Sequence, residues 1–117
     1  MEQLTIETVA DAPEGVRILR LVGPFTLPSI WEFQSLVRSG DEHTTILDFT
    51  EVPYMDSAAL GSVMGLHVSC QRLNRKYALV GVGQRLRTLF TVSGVNPILI
   101  TYPTVSEALQ SLSPQTK

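Results

Sequence analysis

Apolar positions change their period several times along the chain, and each change predicts an element. Leu4, Ile6 and Thr8 alternate with Thr5, Glu7 and Val9, the period of two of a half-buried strand. Asp11-Ala12-Pro13-Glu14-Gly15 supplies turn residues, and Val16, Ile18 and Leu19 to Val22 give a second strand, so the pair reads as a hairpin. Gly23-Pro24 ends it. From Leu27 to Arg38 the spacing turns helical: Leu27, Ile30, Trp31, Phe33, Leu36 and Val37 share an apolar face, which makes Trp31 a core residue. Pro28 is tolerated in the first turn and Ser39-Gly40-Asp41 stops the helix.

Thr44 to Phe49 is a mostly apolar run, as in a strand covered on both faces. A long helical pattern follows, from Leu60 to Leu73. Its expected buried face is Ala59, Val63, Leu66, Cys70 and Leu73, with Ser62, Ser69, Arg72 and Lys76 outside. Gly61 and Gly65 lie one turn apart, each costing about 1 kcal/mol relative to Ala. Small residues in that row permit close approach by the sheet, a neighbouring helix or a partner protein. Tyr77 to Val82 predicts a buried strand, and Arg85 to Val92 a short helix with Gly94 as its stop. Pro97 to Thr101 reads as a last strand. Val105, Ala108, Leu109 and Leu112 form a closing helix, capped by Thr104 or Ser106 with Glu107 in the first turn. Residues Ser113 to Lys117 make a polar tail.

The resulting order is β-β-α-β-α-β-α-β-α over one domain, residues 1–117, with no internal repeat or linker. Successive βαβ units require right-handed crossovers in a parallel sheet, with the first strand antiparallel at an edge. The fold class is therefore α/β: a mixed, mostly parallel sheet of about five strands with about four helices. In such sheets, sites gather beyond the carboxyl ends of the strands. The turn from Thr50 to Ser57 lies there.

Composition narrows the function. The chain is 44% hydrophobic and 17% charged, which suits a packed core. A net charge of −2 leaves no electrostatic footprint for nucleic acid. The one cysteine, Cys70, has no disulfide partner and no metal-ligand spacing around it, and reads as a small core residue. The sequence shows no signal-peptide pattern and no run of the ~20 apolar residues that a membrane helix needs, so a cytoplasmic protein is expected, with neither metal nor cofactor.

Asp56 and Ser57 stand where the long helix should begin, and both residue types are favoured N-caps. The junction presents unpaired N–H groups and the positive end of the helix dipole. Asp48 ends a buried strand and fits either a cap on the Thr50–Pro53 turn or a phosphate-site role. Nucleophilic catalysis is unsupported, because Ser57 lacks a base. His67 lies about 15 Å further along the helix axis, and His43 sits at the opposite end of the sheet. Gly81-Val82-Gly83 before Gln84-Arg85 is part of a phosphate-cradling pattern, without the third glycine or the Lys-Ser/Thr pair.

The run Val52-Pro53-Tyr54-Met55-Asp56-Ser57-Ala58-Ala59-Leu60-Gly61 resembles the signature of STAS domains, in particular the bacterial anti-sigma factor antagonists. The likeness continues through Leu79-Val80-Gly81-Val82 and Val92-Ser93-Gly94-Val95. It implies a STAS fold and a binding role, not an enzymatic one. By the same resemblance Ser57 is a phosphorylation site, with Asp48 and Thr50 as candidate neighbours of the phosphate. The implied partners are an anti-sigma factor that is also a serine kinase, and a serine/threonine phosphatase. The expected contact residues are Tyr54, Met55, Asp56, Ala58, Leu60, Gly61 and Ser62. Two other roles fit the family: a subunit of a stress-sensing or lipid-transport assembly, and a nucleotide- or anion-sensing domain. Oligomeric state stays open. Many relatives carry Gly-x-Leu/Ile-Asp after the second strand. Here Gly23-Pro24-Phe25-Thr26 has no carboxylate, Ala58 replaces a frequent second hydroxyl and Ala59 a usual glycine.

Overall fold

The computed structural model describes residues 3–112; the polar tail at 113–117 lies outside them. Strands β1 (Thr5–Thr8), β2 (Val16–Val22), β3 (Thr44–Glu51), β4 (Lys76–Val80) and β5 (Thr101–Tyr102) form one sheet in the order β1-β2-β3-β4-β5. β1 is antiparallel to β2, and every later pairing is parallel. Helices α1 (Ile30–Arg38), α2 (Ser57–Leu73) and α3 (Gln84–Val92) make the crossovers, and α4 (Val105–Leu112) closes the domain.

The middles of the central strands, Ile18-Leu19, Ile46-Leu47 and Ala78-Leu79-Val80, are apolar because the two sheet faces bury alternate residues. On one face Leu19, Leu47, Phe49, Tyr77 and Leu79 pack with Phe33 of α1, Val63 and Leu66 of α2, and Leu86 and Phe90 of α3. On the other, Ile18, Ile46, Ala78 and Val80 pack with Ala108 of α4. The strand period of two therefore assigns each side chain to a layer. Phe25, just after β2, is fully buried between Phe33 and Phe49, with ring centroids 4.8 and 6.3 Å away.

Six expectations need correction. Trp31 is not core: it is 80% exposed. Phe33 is the buried residue of α1, and Trp31, two residues earlier, points about 200° around the helix from it. Leu27 is also exposed; it belongs to a 3-10 turn, Leu27–Ser29, that precedes α1. Leu73 projects outward at the end of α2, while Ser62 turns inward and donates to the Ala59 carbonyl at 2.6 Å. Lys76 begins β4 and does not belong to α2. The last strand is only Thr101–Tyr102. Pro97 offers no N–H, and Ile98 and Leu99 close a turn onto the Val95 carbonyl, so sheet pairing starts at Ile100, whose carbonyl accepts from Leu79.

The helix ends follow local chemistry. Thr104 Oγ1 accepts from the Glu107 N–H at 3.1 Å, so Thr104 caps α4. Gly94, in the left-handed region at φ +77°, ends α3 as its position predicts. Arg17 of β2 donates to the Leu36 carbonyl at 2.9 Å and the Val37 carbonyl at 3.2 Å, closing the C-terminus of α1.

Candidate functional site

The candidate site is the β3–α2 junction. After β3 the chain crosses beneath the sheet's carboxyl edge. Val52 and Met55 turn into the core, at 5% and 7% exposure, and pin the loop from below. The loop is also tied to the segment after β2: the Phe25 N–H donates to the Tyr54 carbonyl at 3.1 Å, and the Asp56 N–H to the Phe25 carbonyl at 3.2 Å.

Asp56 is the N-cap of α2. Its Oδ1 accepts from the Ala59 N–H at 2.8 Å and its Oδ2 from the Leu27 N–H at 3.0 Å. With both carboxylate oxygens engaged, Asp56 holds the junction together. Ser57, the first residue of α2, is left with no structural duty. It is exposed, and its hydroxyl makes no hydrogen bond among the described residues. The two cap candidates thus divide the helix terminus: Asp56 caps, and Ser57 faces solvent.

Asp48 serves the turn. Its Oδ1 accepts from the Thr50 N–H at 2.9 Å and the Thr50 hydroxyl at 2.6 Å. Thr50 is exposed, but its hydroxyl proton is committed to Asp48. The turn abuts Gly81, whose φ of +69° and close approach to Thr50 leave no room for a Cβ.

The expected contact residues separate by burial. Tyr54, at 41% exposure, and Ala58 and Gly61 face solvent around Ser57. Met55, Leu60 and Ser62 do not: at 7%, 5% and 8% exposure they face the protein interior, because they lie on the inward side of the loop and helix. A Cβ at Gly61 or Gly65 would meet no atom within 4 Å. Neither the sheet nor a neighbouring helix uses the small-residue row, so its close-approach surface is open.

Two residues join the site without any signal in their spacing. Arg85 of α3 places its guanidinium 5.3 Å from the centroid of the Tyr54 ring. Leu27 ties the start of the α1 segment to Asp56, 29 positions away. Arg87, two residues on, is turned to the other end of α3: it donates to Asn96 Oδ1 at 2.9 Å and reaches Thr101.

Neither described histidine is placed to activate Ser57. His67 Nδ1 is 2.7 Å from the Tyr77 hydroxyl, on the inner side of α2, and His43 precedes β3 at the opposite edge of the sheet. Among the described residues no group of three or more His, Cys, Asp or Glu side chains is placed to hold a metal ion, and no helix is long and apolar enough to cross a membrane.

Fold and site together define a small α/β domain that presents one helix N-terminus, with a free hydroxyl, on an otherwise braced loop. A family profile for the STAS domain matches residues 7–108. The chain belongs to the STAS domain family, and its relatives there include anti-sigma-B factor antagonists. It is 30% identical over 78 residues to the anti-sigma-B factor antagonist of Listeria monocytogenes, spanning 67% of this chain and 68% of that protein. The anti-sigma factor antagonist SpoIIAA in its unphosphorylated form superposes with a TM-score of 0.77 at 20% identity, covering 97% of this chain and 100% of that one. The phosphorylated form of the Bacillus cell fate determinant SpoIIAA gives a TM-score of 0.70 at 20% identity, covering 92% and 99%.

Proposed function

We propose that this domain is a cytoplasmic anti-sigma factor antagonist whose unmodified form binds an anti-sigma factor that is also a serine kinase. In this reading, binding frees the sigma factor. The kinase then transfers the γ-phosphoryl group of ATP to Ser57 Oγ, ADP leaves, the hydroxyl proton is lost, and the complex separates. A serine/threonine phosphatase restores the binding form.

The observation that carries this reading is the exposed, unpartnered Ser57 hydroxyl beside a capping Asp56. A phosphate there adds about −1.5 to −2 charges at pH 7. The helix dipole tolerates that charge, and no structural hydrogen bond is lost by modification, so the fold survives. The exposed side chains nearest Ser57 on its own loop and helix, Tyr54 and Ala58, are uncharged, as is the exposed Gly61, with the Arg85 guanidinium over the Tyr54 ring. A dianion among them repels a partner shaped for the neutral form. The domain acts as binder and phosphoacceptor.

The test is to incubate the chain with an anti-sigma kinase and ATP, map the phosphate by mass spectrometry, and compare partner capture by the unmodified and modified forms. The expected result is a single phosphate on Ser57 and loss of capture. Phosphate at another residue, or undiminished capture after modification, would overturn the assignment.

A further inference from the structure

Away from the Ser57 terminus, a cleft of about 440 Å³ is lined by the C-terminal part of α1, the C-terminal half of α2 and the starts of β3 and β4. That volume is in the range of small-ligand sites. Its walls combine two features. Val37, Leu66, Val68 and Leu73 make it apolar, and this accounts for Val68 and Leu73 standing exposed on a helix. Four cations ring it: Arg38, Arg72, Arg75 and Lys76. Among the described residues no carboxylate lines it, although acidic residues outnumber basic ones in the whole chain, 11 to 9.

Cations near helix C-termini ordinarily serve the last carbonyls and the negative end of the dipole. That duty is already discharged here. Arg17, from outside the cleft, takes the Leu36 and Val37 carbonyls of α1. The end of α2 is closed by its own backbone, with Asn74 in the left-handed conformation, the Arg75 N–H on the Cys70 carbonyl at 2.8 Å and the Asn74 N–H on the Gln71 carbonyl. Each helix end contributes roughly half a negative charge, so two ends offset about one of the four cations. Arg38, Arg72, Arg75 and Lys76 have no side-chain hydrogen bond or ion pair among the described residues. At the floor, the nearly buried Thr45 hydroxyl also lacks a partner among them.

We propose that this cleft is a binding site for a small amphipathic organic anion, an apolar body carrying a phosphate head. The body lies against Val37, Leu66 and Leu73, and the head is held by Arg38, Arg72, Arg75 and Lys76. Gly65 lines the same cleft, and the absence of a Cβ keeps it open. The site is independent of the Ser57 reading.

The test is a titration of the full chain, followed residue by residue by NMR, with octyl phosphate and with phenyl phosphate, which separate an alkyl from an aromatic body. Inorganic phosphate and octanol are the controls. Two variants locate the site. Gly65→Leu fills the cleft at a position where a Cβ meets nothing, and gains helix propensity. The double variant Arg72→Gln/Arg75→Gln removes two cations while keeping the shape, and carries the test if the first fails to fold. The expected result is binding of at least one organic phosphate, with shifts centred on residues 34–38 and 62–76 and affinity about tenfold or more weaker in each folded variant. Three outcomes would overturn the proposal: neither organic phosphate binding at millimolar concentration, either control binding as tightly as the organic phosphates, or affinity unchanged in the variants.

Discussion

The Asp56 carboxylate bridges the Leu27 N–H at 3.0 Å and the Ala59 N–H at 2.8 Å, tying the segment before α1 to the N-terminus of α2. One side chain thereby fixes the orientation in which its neighbour Ser57 is displayed. Replacing a capping Asp by Ala costs about 0.5–2 kcal/mol, and a second charged hydrogen bond adds to that. Asp56→Ala should therefore lower unfolding stability by about 1–3 kcal/mol in urea denaturation. Ser57→Ala should change it by less than about 0.5 kcal/mol. Equal losses in the two variants would mean that the cap is shared and Ser57 is not free.

Burial separates structural from contact residues in a way that two substitutions can read. Met55→Ala empties a core position and should cost about 2–5 kcal/mol. Ala58→Asp adds a charge to an exposed position in the first turn of α2, where the helix dipole favours it, so stability should hold within about 0.5 kcal/mol. If the Ser57 face receives the partner, Ala58→Asp should still reduce partner capture at least tenfold, measured by surface plasmon resonance. Full capture by the Ala58→Asp chain would move the contact surface elsewhere.

Gly81 tests the turn that backs the site. Its φ of +69° is one that L side chains rarely adopt, and a Cβ there would press on Thr50, whose N–H and hydroxyl are held by Asp48. Gly81→Ala should cost about 1–3 kcal/mol, from left-handed strain and displacement of the turn. Gly83→Ala, where φ is −78° and a Cβ meets nothing, should cost less, about 0.5–1 kcal/mol, because Ala is a poorer N-cap for α3 than Gly. Urea denaturation of the two variants decides whether the close approach or mere loop rigidity matters.

The element order, the antiparallel first strand and the capping positions were legible in the sequence because each is a local matter of period, turn residues and caps. The helix faces were legible only in part. Leu27 and Trp31 fit an apolar spacing, but nothing local says that the sheet leaves their side uncovered; the burial of Phe33 decides the rotation of α1. Pro97 to Ile100 has strand-like side chains, yet the backbone turns because Pro97 lacks a donor and Val95 offers its carbonyl. At the site, Asp56 and Ser57 were recognisable as rival caps. Which of them caps depends on the Leu27 N–H, and the partition of the contact residues depends on the sheet beneath, both relations between residues far apart in sequence.

Tyr77 supplies the pH dependence. Its hydroxyl is buried at the end of α2, 2.7 Å from His67 Nδ1 and 3.1 Å from the Ile100 N–H, which donates to it. Burial raises the phenol above its ordinary value, with the Ile100 N–H pulling it partly back. Burial likewise raises the Cys70 thiol, and the Arg75 guanidinium pulls that one partly back. Both groups thus hold their protons more tightly in the folded chain than in the unfolded one. Between the unfolded and folded values the native state binds more protons, so stability falls as pH rises. The contribution is fully present below about pH 8 and declines first as the thiol titrates, then above about pH 10 as the phenol does. Tyr77→Phe should start about 1–3 kcal/mol less stable, because His67 and the Ile100 N–H lose their partner. It should also lose less on going from pH 9.5 to pH 10.5 than the parent chain. Urea midpoints at pH 7.5, 9.5 and 10.5 measure both effects. Parallel declines in the two proteins would show that Tyr77 is not the group responsible.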